Sequence, residues 1–309
     1  MKTFIKVTEI WVPNKRRTHL QLSNGHYGNY KAFKKVSEKK QFALEQGLPG
    51  AVWAAGHPIV LTDLKHSYFE RSKEADKAGL TCAIAVPVMA GEFLLAVIVF
   101  FCGDAKDDNH AGAIEVWSNT SDRTNELGVV DGYYGSQEYF EFVSRKTKIM
   151  KGFGLPGMVW EKQIPVLLND LGDSTSFIRG RDAKNAGITT GIGIPVAVNQ
   201  DQVYIMTFLS AKKTPIAKYI QIWAPDDEHQ KISCQSSYGT ENDDLASVFN
   251  SKTYSKGEGL IGQVWLTGVP VIGESSYAGN TTDPAAISSI LAMPVLENGK
   301  LKAVVTFLF

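Results

Sequence analysis

The chain writes one plan three times, and a repeat of that length leaves few folds open to it. Its six tryptophans form the pairs Trp11 and Trp53, Trp117 and Trp160, and Trp223 and Trp265. Members of a pair lie 42, 43 and 42 residues apart, and the first members of successive pairs are 106 residues apart each time. That period is the size of a small domain, well above the roughly 20–50 residues of a solenoid unit. Three tandem modules follow, with boundaries at 1–105, 106–211 and 212–309.

The flanks repeat in the same order as the tryptophans. The first Trp ends an alternating strand in each copy: Val7-Thr8-Glu9-Ile10-Trp11, Ala113-Ile114-Glu115-Val116-Trp117 and Tyr219-Ile220-Gln221-Ile222-Trp223. The second closes a glycine-rich turn: Gly47-Leu48-Pro49-Gly50-Ala51-Val52-Trp53, then Gly154 to Trp160, then Gly259 to Trp265. Strand starts at Pro58, Pro165 and Pro270 come next, then interior strands around Pro87, Pro195 and Pro294. A last apolar strand ends near Phe101, Phe208 and Phe307.

Within the first copy, period-two alternation over residues 2–12 and 19–23, broken by Pro13-Asn14-Lys15, predicts a hairpin. Tyr30, Phe33 and Val36 recur at helical spacing among lysines, which predicts an amphipathic helix over 30–40. Its counterpart starts at Ser136, a good N-cap residue, and carries Tyr139, Phe140 and Val143; the third falls over 242–250. Pro49 suits the first turn of a short helix opened by the glycine-rich turn. A strand over 58–61, a helix over 68–78 stopped by Gly79 and two strands over 81–89 and 93–101 complete the module. This order predicts an α+β fold, a mainly antiparallel sheet with its helices on one side.

Composition and charge exclude several function classes. No apolar run nears the roughly 20 residues that span a bilayer, and residues 1–12 alternate polar with apolar instead of forming a signal-peptide core. A cytoplasmic protein is expected. Cys82, Cys102 and Cys234 do not recur between copies, so a disulfide framework is not expected. Net charge is zero, but the first copy is basic and the third acidic. Lys15-Arg16-Arg17 and Lys31, Lys34, Lys35, Lys39 and Lys40 carry the basic excess; without a reader motif or a counterpart in the other copies they do not point to nucleic acid. A solvated helix face, or a head-to-tail contact between basic and acidic modules, accounts for the same charges.

The ordered motifs resemble the GAF family of small-molecule-sensing domains. In the first copy the resemblance rests on Gly47 to Trp53, Ile59-Val60-Leu61-Thr62-Asp63-Leu64, Phe69-Glu70-Arg71, Ala78-Gly79-Leu80 and Ala85-Val86-Pro87-Val88. The second keeps Asn169-Asp170-Leu171, Phe177-Ile178-Arg179, Ala186-Gly187-Ile188 and Ile194-Pro195-Val196. The third lacks Phe-x-Arg, carries Gly273-Glu274-Ser275-Ser276-Tyr277 instead of the Asp-Leu segment, and has 24 residues from Pro270 to Pro294 where its counterparts have 29 and 30. The resemblance implies three tandem GAF-like modules, each with a ligand pocket on one face of its sheet, the third degenerate. The long terminal helices by which signalling members of the family usually dimerise are missing, and no output-domain sequence follows Phe309. Action in trans is therefore expected.

Chemistry is hard to find in the residues. The six histidines have no partner at metal-ligand spacing, so neither a metal nor a cofactor is expected. The glycine-rich turn lacks the Gly-Lys-Ser or Gly-Lys-Thr end of a nucleotide loop, although amides at the helix that it opens are placed to meet an anion. Arginine presents a fixed fork of donors suited to carboxylate or phosphate, and an aromatic ring stacks on a flat ligand, so Phe69 and Arg71 with Phe177 and Arg179 are the ligand candidates. The competing reading pairs each arginine with Asp63 or Asp170, pinning a loop to the sheet. Trp11, Trp53, Trp117, Trp160, Trp223 and Trp265 read as core, with the first of each pair alternatively packing between modules.

The expectation is a non-catalytic small-molecule-binding or sensory and regulatory protein, with a small molecule or a protein as partner and a homodimer as an open possibility. Two alternatives stand beside it. One is a structural or adaptor protein with closed pockets; the other is a thiol-based reductase of the free methionine sulfoxide type, using Cys82 and Cys102 on neighbouring strands.

Overall fold

A computed structural model describes residues 2–103, 110–119, 125–198, 202–239, 251–274 and 287–309. The first copy runs β1 (Ile5–Pro13), β2 (His19–His26), α1 (Lys31–Ser37), β3 (Gln41–Ala43), α2 (Gly47–Ala55), β4 (Ile59–Leu61), α3 (Ser72–Ala78), β5 (Cys82–Ala90) and β6 (Phe93–Cys102). The second repeats the order as β7 (Ala111–Ser118), β8 (Glu126–Gly135), α4 (Glu138–Lys146), β9 (Lys148–Met150), α5 (Gly154–Lys162), β10 (Val166–Leu168), α6 (Gly180–Asn185), β11 (Ile188–Val198) and β12 (Val203–Ala211). The third gives β13 (Tyr219–Pro225), β14 (Ile232–Gly239), β15 (Thr253–Tyr254), α7 (Gly259–Thr267), β16 (Val271–Glu274), β17 (Ser289–Glu297) and β18 (Lys300–Leu308).

Each module is one six-stranded antiparallel sheet in the order β3-β2-β1-β6-β5-β4, and the other two sheets repeat that order. The architecture is α+β with three similar modules. Each sheet gains a short strand that the sequence does not announce, β3, β9 or β15; two or three residues are too few to show a period. The helices are shorter than their patterns suggest. Residues 38–40 form a turn, and 63–71 form turns ahead of α3. Ser136 is not a cap: Gln137 occupies that position, and the Ser136 hydroxyl donates to the His110 carbonyl. Residues 242–250 and 275–277 lie outside the described residues.

The glycine-rich turn has a steric cause. Gly47 adopts the left-handed region (φ 57°), and Gly50 packs so closely on β3 that an added Cβ would sit 2.1 Å from the Ala43 carbonyl oxygen. Gly157 and Gly262 meet the Met150 and Ser255 carbonyls in the same way.

Both faces of the central strands of every sheet are covered. Along β6, Val97, Val99 and Phe101 face the helices, while Ile98, Phe100 and Cys102 face inward with the other two modules. Burial on both sides explains why these strands read as unbroken apolar runs. The inner faces share one core around an approximate threefold axis, where β5, β11 and β17 contact one another. At its centre Phe100, Phe208 and Phe307 pack with ring centroids 5.2–6.2 Å apart. Phe100, not Phe101, is the counterpart of Phe208 and Phe307, because Val97, Ile205 and Val304 stand opposite Trp11, Trp117 and Trp223. The adjacent Phe101 points to the other side of the sheet.

Sheet edges also join the first module to each of the other two. Asp131, opposite Val116 on β8, accepts from the Val60 amide of β4 at 3.3 Å. Its counterpart Asn24, opposite Ile10 on β2, donates to the Ile272 carbonyl of β16 at 2.8 Å.

Candidate functional site

Between sheet and helices, where the candidate arginines point, each of the first two modules holds a buried polar cluster. Glu9 and Trp11 are two residues apart on β1, so both side chains leave the same face of the strand. Arg71, at the N-terminus of α3, reaches across to Glu9 with a two-pronged contact, Nη1 to Oε1 at 2.6 Å and Nη2 to Oε2 at 2.9 Å. Trp11 Nε1 and the Tyr27 hydroxyl also donate to the same carboxylate, each at 2.9 Å. The guanidinium donates further to the Ser37 hydroxyl, and Ser37 donates to the Phe33 carbonyl one turn back in α1. Rings of Phe33, Phe69, Phe101 and Trp11 surround Arg71 at 4.8–5.5 Å from its central carbon. Arg71 is 1 % exposed and Glu9 0 %.

The second module rebuilds this arrangement with one exchange. Arg179 grips Glu115 through both prongs and donates to Ser144, while Trp117 Nε1 donates to Glu115 at 3.0 Å. Thr207 supplies the fourth donor, at 2.7 Å, in place of the tyrosine hydroxyl. Burial by itself pushes the Glu115 carboxyl up, but the Arg179 charge and the hydrogen bonds from Arg179, Thr207 and Trp117 outweigh it and hold the carboxyl below its ordinary range. In the first module burial, and then the Glu9 charge, keep the Tyr27 hydroxyl well above its usual range and so protonated.

In the third module the carboxylate is absent. Gln221 stands where Glu9 and Glu115 stand, accepting from Trp223 Nε1 at 3.3 Å and from the Thr306 hydroxyl at 2.9 Å. The position that would carry an arginine falls within 275–286, outside the described residues.

The candidate residues therefore separate into two groups. Phe69 and Arg71 are brought together with Trp11, and Phe177 and Arg179 with Trp117. Asp63 and Asp170 are not part of either cluster. Asp63 is exposed and turns its carboxylate onto the Lys65 and His66 amides and the His66 ring. Asp170 is exposed too, with left-handed backbone (φ 50°). The expected arginine–Asp63 and arginine–Asp170 pairs are corrected accordingly. The true partners are Glu9 and Glu115, mid-strand acids that reach the arginines with their charge away from water. One signal for them is present in the sequence: Glu-x-Trp occurs in the two copies that have Phe-x-Arg, and Gln-x-Trp in the copy that lacks it.

Trp11, Trp117 and Trp223 are fully buried on the helix-facing side of their sheets and do not pack between modules. Trp160 and Trp265 are buried, and Trp53 is half-buried. Cys82 and Cys102 face each other in register on β5 and β6, as neighbouring strands suggested. Burial pushes both thiols well up, and Cys234 rises to about 11. None of them supplies a thiolate near neutral pH. Among the described residues no group of three or more His, Cys, Asp or Glu is placed to hold a metal, and no helix is long and apolar enough to cross a membrane.

One open concavity lies beside the first module's cluster, between α1 and α3, and shares Phe33 with it. It measures about 450 Å³ and is lined by Tyr30, Phe33, Val36 and Ala78 with Glu74 and Lys77 at its rim.

Residues 10–119 match the family model of the GAF domain, and the sheets of the three modules share one strand order, consistent with tandem GAF-like repeats. Among solved structures the chain is similar to the GAF domain of A. aeolicus nlh2 in an inactive state, at 23 % identity over 32 % of this chain and 58 % of that one, with a TM-score of 0.27. It is similar to the GAF domain of an Acinetobacter phosphoenolpyruvate-protein phosphotransferase at 20 % identity, covering 32 % and 56 % of the two chains, TM-score 0.25. It is similar also to the substrate complex of the free methionine-R-sulfoxide reductase from Neisseria meningitidis at 17 % identity, covering 34 % and 57 %, TM-score 0.26. In each case the chain spans little more than half the length of the solved structure. No curated protein matches it.

Proposed function

For a chain built of GAF-like repeats, we propose a non-catalytic regulatory or adaptor role in which the first two modules have filled their own ligand positions. The observation that carries this reading is the two-pronged pairing of Arg71 and Arg179 with buried carboxylates of their own modules. Each guanidinium that would greet an anionic ligand already holds a carboxylate from its own first strand, and aromatic rings enclose it. A ligand in that place would have to displace a buried ion pair and leave Glu9 or Glu115 without its counter-charge, at a cost of several kcal/mol.

Thermal melts and native mass spectrometry of the purified chain test the proposal. The expected native mass is a whole multiple of the bare polypeptide's 33.9 kDa with no added ligand mass, and metabolite mixtures should leave the melting temperature unchanged. Arg71→Ala should cost about 3–5 kcal/mol, since it strands a buried carboxylate. A small molecule that co-purifies with the wild type and is lost from Arg71→Ala would overturn the closed-interior reading.

The groove between α1 and α3 supports a second reading, a small-molecule site on the first module. Its volume lies in the range of about 300–1,000 Å³ usual for ligand pockets, and its floor is apolar. Thermal shifts that disappear in Val36→Lys but persist in Arg71→Ala would favour it. Thiol chemistry finds no support beside these readings, because the thiols on β5 and β6 are buried and protonated.

A further inference from the structure

The outward face of α4 differs in kind from the same face of α1. Phe33 and Ser37 of α1 occupy the places of Phe140 and Ser144 of α4, each serine donating to the carbonyl one turn back, so the two helices align residue for residue. On that alignment α4 exposes Tyr139 (65 %) and Phe142 (55 %) where α1 has Ala32 and Lys35. Beyond the end of the helix the contrast continues. The first module links Lys40, Gln46 and Glu70 through polar contacts of 2.8 and 2.9 Å. The second replaces Gln46 and Glu70 with exposed Phe153 and Ile178, and Ile178 lies over Gly154 beside Phe153.

Charge order along α4 is as informative as its apolar surface. Glu138 and Glu141 occupy the first turn, and Arg145 and Lys146 the last. Phe142 is the middle residue of the nine. A twofold axis through Phe142 therefore sets each residue against its mirror position: Glu138 against the partner's Lys146, and Tyr139 against the partner's Arg145. Antiparallel packing brings the acidic half of each helix to the basic half of the other and opposes the two helix dipoles. A parallel arrangement would set acid on acid. The Glu141–Arg145 bridge at 2.7 Å and Lys146 at 4.0 Å from the Phe142 ring hold these side chains around the apolar centre.

We infer that α4 of the second module is a self-complementary surface through which two copies of this chain pair antiparallel about Phe142. A nine-residue helix is about 13.5 Å long, so the contact belongs to the small class of interfaces and the dimer exchanges with monomer. The surface lies outside the module interior, so the inference stands or falls separately from the closed-interior proposal. The corresponding face of α1 cannot do the same, because Lys35 would meet its own image and Lys31 the partner's Lys39.

Sedimentation velocity of the full chain over a concentration series provides the test. Wild type should move from monomer to dimer, and Phe142→Lys, which installs the first module's residue, should raise the dissociation constant at least tenfold while leaving the unfolding midpoint in place. Glu138→Lys and Lys146→Glu should each weaken the dimer severalfold. Together in one chain they should restore it to within about threefold of wild type, since the exchanged charges face each other again. A chain that stays monomeric at the highest soluble concentration would overturn the inference. So would a folded double variant that fails to recover, or assembly that continues past the dimer and thereby indicates a head-to-tail contact.

Discussion

At the scale of single residues, the decisive feature is a carboxylate placed where apolar neighbours would be expected. Glu115 is buried, and its contacts hold it below the ordinary glutamate value of 4.5. A depressed folded-state value means that its stabilising contribution is present above the unfolded value and is lost as pH falls through the folded one. Urea unfolding followed from pH 7 down to pH 3 should therefore show a steeper loss in wild type than in Glu115→Gln below about pH 4.5. At neutral pH the variant should already be less stable, because Arg179 loses its counter-charge. Parallel pH profiles for the two proteins would show that folding does not lower the titration of this carboxyl, which would overturn the account. That Phe69, Arg71, Phe177 and Arg179 belong to a recurring feature was legible from residue type and recurrence. Their partners were not, because a Glu in an alternating strand is ordinarily assigned to the wet face, and only the cover on both sides of the sheet turns it inward.

At the scale of elements, the glycine-rich turn shows how one contact shapes a module. The amide of Glu45 donates to the Gly50 carbonyl, and Gly50 lies against the Ala43 carbonyl, so β3, the turn and the first turn of α2 form one unit. Gly50→Ala should cost about 3 kcal/mol, because the added methyl meets backbone that cannot swing away. A chemical-denaturation midpoint within experimental error of wild type would sink that account. Long elements such as β5 and β6 were visible from their Val, Ile and Phe runs. The short strands β3, β9 and β15 were not, since they are held by their neighbours and not by their own sequence. Helix starts were misjudged for a similar reason. Ser136 is a favourable cap residue, but the neighbouring His110 carbonyl offers its hydroxyl a partner outside the helix.

At the scale of the molecule, three modules share one inner core and fold as a single body. Phe208 touches Phe100 and Phe307 from the other two modules, so truncating it removes contacts from all three at once. Phe208→Ala should cost about 3–5 kcal/mol. In calorimetry the wild-type chain should give one cooperative transition, and the variant should shift that whole transition downward. Separate melting of one module, with the others unaffected, would contradict the shared core.

The number of modules, the α+β class and the order of the main elements follow from the residues alone, because repeat length, side-chain periodicity and turn residues are local properties that each copy states independently. The resemblance carried by the glycine-rich turn and the Phe-x-Arg segment was likewise readable residue by residue. Which way each sheet faces depends on how the modules pack together. Packing the three inner faces around Phe100, Phe208 and Phe307 leaves the helix side of each sheet to enclose the first tryptophan of each pair. That enclosure brings Glu9 to Arg71 and Glu115 to Arg179, pairs separated by more than sixty residues and joined because a buried charge is stable only beside its opposite.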